Sequence, residues 1–133
     1  MFEWKPEYAV GIGSIDAQHQ KLFAIARELY EAMSAGKGKA SLALILDRLV
    51  QYTATHFAHE ERLMRVHDYP DFLKHKAQHD ALTKQVLAFQ KEFETGMVSM
   101  TVQLLQFLKN WLENHIMASD FEYAPCLKQK NVA

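Results

Sequence analysis

Cysteine is nearly absent: Cys126 stands alone among 133 residues. A single thiol cannot close an internal disulfide, which excludes a disulfide scaffold and favours a reducing, cytoplasmic setting. Long apolar runs are missing too. The longest, such as LALIL (Leu42 to Leu46), fall far short of the roughly 20 residues that cross a bilayer. The opening MFEWKPEY is charged and has no apolar h-region, so no signal peptide and no membrane insertion are expected. No basic block stands out and the formal net charge is −1, which excludes the usual footprint of a nucleic-acid partner. Repeats and low-complexity segments are also lacking. What remains is 49% hydrophobic and 23% charged, the balance of a soluble globule. The length implies one domain, expected as a monomer. A domain of this size buries about two-thirds of its unfolded surface, so it needs no metal merely to fold.

Glycine and proline are sparse, and they punctuate the chain. SAGKGK (Ser34 to Lys39), HDYPD (His67 to Asp71) and ETGMVS (Glu94 to Ser99) are turn-like. The segments between them carry helical spacing rather than strand alternation. Helices are expected over about 16–34, 40–66, 71–95 and 99–119, the first capped by Ser14 or Asp16. Short loops between four helices imply an all-α, up-down-up-down antiparallel four-helix bundle. Residues 1–14 would form an N-terminal arm and 121–133 a C-terminal tail.

Histidine is where the sequence is rich. Five of the seven histidines fall between His56 and Asp80. On a wheel of about 100° per residue, His75 and His79 continue the apolar stripe of Leu82, Val86, Phe89 and Phe93. His56 and Glu60 share a face with Leu49, Tyr52 and Leu63. His19 lines up with Ile15, Phe23, Ala26 and Tyr30, and His115 with Leu108 and Trp111. In an antiparallel bundle, the starts of the first and third helices meet the ends of the second and fourth. All six polar side chains therefore converge on one level of the core, near one end. A buried polar group without a partner costs about 1–3 kcal/mol. A lone core histidine usually finds a hydrogen bond; five on four helices, with a carboxylate among them, point to metal. His59 lies at the edge of the core face and His67 at a helix end, so both read as solvent or supporting residues.

Structural zinc sites close with about four ligands, often thiolates. Here the ligand-type residues exceed four, and Cys126 lies beyond the last of them. Imidazole with carboxylate suits iron, and too many ligands for one ion suggests two ions bridged by carboxylates. Asp120 is the obvious second bridge, yet an ideal wheel puts it about 140° from His115. It reaches the site only if the helix widens into a π-type turn or ends near Ser119.

The pattern H…HxxxE…HxxxH…HxxxxD, read as His19, His56 to Glu60, His75 to His79 and His115 to Asp120, resembles the hemerythrin family. The opening VGIGSIDAQHQKLF (Val10 to Phe23) is similar to its single-domain bacterial members, and the likeness covers nearly the whole chain. It implies that His75, His79 and His115 bind one iron, that His19 and His56 bind the other, and that Glu60 and Asp120 bridge both. A solvent-derived oxo or hydroxo ligand would complete the bridge. Two six-coordinate irons offer about twelve positions and these ligands fill all but one; an open position is what distinguishes a reactive metal site from a structural one. The resemblance also implies that Phe57, Trp111, Leu112 and Ile116 line that position. Tyr123 follows the last ligand closely enough to pack or hydrogen-bond near the site.

The function implied is reversible dioxygen binding for transport, storage or delivery to an oxygen-consuming protein, without catalysis. The alternatives are an oxygen or redox sensor, and a di-iron enzyme such as a peroxidase or a nitric oxide-reducing enzyme. Oxygen-activating ferritin-like sites are richer in carboxylate. Five neutral imidazoles instead favour the diferrous state.

Overall fold

The turn-like stretches end helices where their composition demands it. α1 spans Gly13–Ser34, α2 Lys39–Val66, α3 Phe72–Glu94 and α4 Val102–Asn114. The computed structural model describes residues 2–96, 102–115 and 121–130, and no strand occurs among them. After α1 the chain reverses at Gly36, whose φ of +74° lies in the left-handed region that glycine enters without strain. Gly36 N–H donates to Met33 O at 3.0 Å and Lys37 N–H to Ala32 O at 3.0 Å, so the last carbonyls of α1 are satisfied. α2 closes the same way on Asp68 (φ +56°), with Tyr69 N–H donating to Met64 O at 2.9 Å. Asp68 is one of the residue types that tolerate this conformation.

The N-terminus of α1 differs from expectation. Its N-cap is Ile12 and no side chain caps it. Asp16, in the first turn, instead accepts from the Val10 and Gly11 amides at 2.8 and 3.2 Å. It folds the N-terminal arm onto the helix rather than capping it. Within the arm a 3-10 turn spans Pro6–Tyr8, and Tyr8 donates its hydroxyl to Glu113 of α4 at 3.1 Å.

Cross-helix contacts fix the directions. Gln18 meets His56 and Glu28 meets Arg48, so α1 and α2 are antiparallel. Glu61 meets His79, and Asp47 meets Gln90, so α2 and α3 are antiparallel. Trp111 donates its indole N–H to Leu82 O at 2.9 Å, and Phe107 stacks on Phe89 with ring centres 5.8 Å apart. α4 therefore runs against α3, and the architecture is the all-α antiparallel helical bundle expected. No helix among the described residues is long and apolar enough to cross a membrane.

The expected C-terminal tail contains a fifth helix, α5 (Phe121–Gln129), with Pro125 inside it. Pro125 has no N–H to donate to the Phe121 carbonyl and its ring crowds that carbonyl, which costs about 3 kcal/mol in a helix interior. Tyr123, Ala124 and Leu127 of α5 pack with Val10, Ile12, Ile15, Met64 and Tyr69 into a small apolar cluster. A larger cluster, containing Leu22, Phe23, Leu49, Phe57, Phe89, Leu108 and Trp111, fills the rest of the bundle. Along α1 the chain passes from Ile15 in the small cluster through His19 to Leu22 in the large one. Along α2 it passes from Phe57 through Glu60 to Met64. The polar layer thus lies between two apolar cores.

Candidate metal centre

The helical period brings the predicted ligands into that layer. His19, His56, Glu60 and His115 are 0% exposed, His79 1% and His75 2%. At such burial water cannot supply their hydrogen bonds, so the side chains must satisfy one another or hold an ion.

Two groups of ligand atoms form, each with all atoms within 4.8 Å of one another: His19, His56, Glu60 and His115; and Glu60, His75 and His79. Glu60 belongs to both. Its Oε1 lies 2.9 Å from His56 Nε2, 3.1 Å from His115 Nε2 and 3.4 Å from His79 Nε2. Its Oε2 is 4.0 Å from His19 Nε2 and accepts the Tyr123 hydroxyl. His115 stands between the halves, its ring centre 5.1 Å from that of His56 and 5.2 Å from that of His79. Its Nε2 is 2.9 Å from His56 Nε2, so these distances group it with His19 and His56, whereas the resemblance implied a place with His75 and His79.

The spacing suits a metal. His56 and His115 bring their Nε2 atoms to 2.9 Å, and His75 and His79 bring theirs to 3.1 Å. Two ligands at right angles, each about 2.1 Å from an ion, stand about 3.0 Å apart. Two of the far nitrogens meet side chains of a neighbouring helix. His56 Nδ1 donates to Gln18 Oε1 at 2.7 Å, and His79 Nδ1 to Glu61 Oε2 at 2.9 Å. These bonds hold the tautomer that leaves Nε2 lone pairs facing inward.

The protonation states fit as well. Burial, and then the neighbouring His79, push His75 down to about 3. Burial also lowers His56, against the pull of Glu60. Burial alone would raise the Glu60 carboxyl, but the imidazoles facing it reverse this and hold it well below the ordinary glutamate range. The layer is a carboxylate among imidazoles, a donor set for a divalent or trivalent cation.

Around it the walls are apolar. Phe57 stacks on His79 with ring centres 3.9 Å apart and planes 4° from parallel, and its centre is 4.7 Å from that of His115. Trp111 lies 6.3 Å from Phe57, and Leu112 is fully buried in the same cluster. Ile116 and Asp120 lie outside the described residues. His115, the last described residue before them, has π-type backbone geometry. His59 and His67 stay out of the layer. His59 is half-buried with Nε2 3.3 Å from Ser14 Oγ, and His67 forms the C-cap of α2.

Three residues escaped the wheel. Gln18 and Glu61 sit beside His19 and Glu60 in sequence, about 100° off the core stripe, where a side chain reaches the neighbouring helix instead of the centre. Adjacency to a ligand is the only signal they carry. Tyr123 lies on a helix that periodicity did not predict.

Comparison with known proteins places this layer in context. The family model for the hemerythrin HHE cation binding domain matches residues 10–127. A bacteriohemerythrin of Methylococcus capsulatus is 34% identical over 121 residues, covering 91% of this chain and 92% of the relative. One from Clostridium acetobutylicum is 34% identical over 127 residues, covering 92% and 98%. The crystal structure of a wild-type hemerythrin superposes with a TM-score of 0.84 at 33% identity, covering 94% of this chain and 96% of that one. The chain belongs to the hemerythrin family, and the buried histidine–glutamate layer is its non-haem iron site.

Proposed function

We propose that this chain binds dioxygen reversibly at two iron ions, for transport, storage or delivery rather than for catalysis. The observation that supports it is one buried carboxylate, Glu60, shared by two groups of imidazoles. In this reading, as the family pattern implies, His75, His79 and His115 would hold one ion and His19 and His56 the other, with His115, whose Nε2 is 2.9 Å from His56 Nε2, at the boundary between them. Glu60 and Asp120 would serve both. Bound there, the iron pair supplies the two electrons that dioxygen takes up and returns.

The chain's own residues supply the rest. Gln18 and Glu61 orient the imidazoles. Tyr123 fixes Glu60 by a hydrogen bond. Phe57, Trp111 and Leu112, with Ile116, would form a dry wall on which stray protonation and water entry are costly. Five neutral imidazoles keep the site poor in negative charge, which favours the reduced metal and disfavours cleavage of the oxygen bond. The chain would work as a cytoplasmic monomer that gives its oxygen to an oxygen-consuming protein.

Oxygen titration of the reduced protein, followed by argon flushing, tests this. Carriage predicts that the original spectrum returns through repeated cycles. Steady oxygen consumption in the presence of a reductant would make the protein an enzyme instead.

A further inference from the structure

The outer nitrogens of the two histidine sets meet different chemistry. On α2, His56 Nδ1–H donates to the neutral amide of Gln18 at 2.7 Å. On α3, His79 Nδ1–H donates to the carboxylate of Glu61 at 2.9 Å. Glu61 is 19% exposed, so its charge is only partly screened by water. Its one cationic neighbour among the described ion pairs is weakly placed: Lys76 Nζ is 4.0 Å away and lies closer to Asp80, at 3.2 Å.

A carboxylate attracts the Nδ1 proton more strongly than an amide does. It leaves the opposite nitrogen, Nε2, the better electron donor, and it fixes the ring orientation more firmly. The two halves of the layer therefore offer unequal donors although both present imidazole.

We propose that Glu61 and Gln18 are positioning residues that make the two metal positions unequal, the carboxylate-backed His79 side holding its ion more tightly than the amide-backed His56 side. This rests on the two-ion reading above. The carboxylate adds to the difference that three histidines against two already make, and Phe57, stacked flat on the His79 ring, limits the ring's freedom to turn away from it.

The test uses the full-length protein loaded with cobalt(II) and titrated with a competing chelator, cobalt bands being followed by absorption. Wild type should release its two ions in two stages. Glu61→Gln should move the later stage to roughly 10–100-fold lower chelator, the usual loss on removing such a partner, so that the stages converge. Glu61→Asp should restore much of the separation. Gln18→Glu acts on the other half independently, and should move the earlier stage to higher chelator by a similar factor. The solvent-exchangeable, cobalt-shifted Nδ1–H resonance of His79 should move in Glu61→Gln and return in Glu61→Asp, which a merely structural role would not produce. A later stage unmoved in Glu61→Gln, or an earlier stage unmoved in Gln18→Glu, overturns the proposal. Two cobalt ions released from wild type in one stage overturn it while leaving the two-ion reading intact. One cobalt per wild-type chain removes both.

Discussion

Tyr123 on α5 donates its hydroxyl to Glu60 on α2, across 63 positions of sequence. The helix that follows the bundle is thereby tied to the carboxylate at its centre. The ring also meets His75 edge-on, with centres 5.0 Å apart. Tyr123→Phe keeps that packing and removes only the donor. A buried acceptor deprived of its partner costs about 1–3 kcal/mol, so urea unfolding should show a loss in that range. An unchanged midpoint would mean that the hydroxyl contributes nothing to holding α5 in place.

Asp120 gives a second prediction. The family pattern makes it a ligand, while neighbouring Glu122, exposed on α5, matches no ligand position. Asp120→Asn should lose iron to a chelator faster than wild type, and Glu122→Gln should not. Equal retention in the two variants would remove Asp120 from the ligand set.

These tests fall where the sequence was hardest to read. Helical periodicity found five histidines and Glu60 because ligands that converge on a core must follow the same period as the core. Their common height followed from alternating helix direction, and both survive in the structure. Asp120, which only the motif adds to the ligand set, lies off the periodic stripe because it would need a departure from α geometry, for which the wheel has no coordinate. Gln18 and Glu61 escaped because residues that orient a ligand approach from a neighbouring helix, off the core stripe. α5 escaped because its nine residues are few and include Pro125, which helix interiors disfavour. The residue type of Asp16 fits a cap, but its carboxylate serves the two amides of the arm instead.

Acidity should act through the buried imidazoles. His75 is held neutral down to about 3, by burial first and by His79 next. Between its ordinary value of 6.5 and about 3, the unfolded chain carries a proton there that the folded chain lacks. Stability of the metal-free protein is therefore full above that window and falls as pH drops through it. Denaturant titrations at several pH values should show this slope, and His75→Gln should flatten it. An equal slope in the variant would assign the effect to other groups.

Leu112 tests the wall. It is fully buried beside Trp111 in the cluster that holds Phe57. Leu112→Asn would place an amide there and admit solvent. If this lowers the barrier to loss of the oxygenated state by about 1.4 kcal/mol, autoxidation in air speeds up by about tenfold. Iron content should not change, since no ligand is altered. Decay of the oxygenated spectrum at wild-type rate, with full iron, would show that the barrier lies elsewhere.

The claim on which the rest depends is that one layer of side chains holds two irons, and quantitative metal analysis of the purified protein tests it most directly. Wild type should carry two irons per chain, and His79→Leu should lose iron mainly from the half that contains His75 and Glu61. A single iron per chain, or zinc as the resident metal with no response to oxygen, would contradict it.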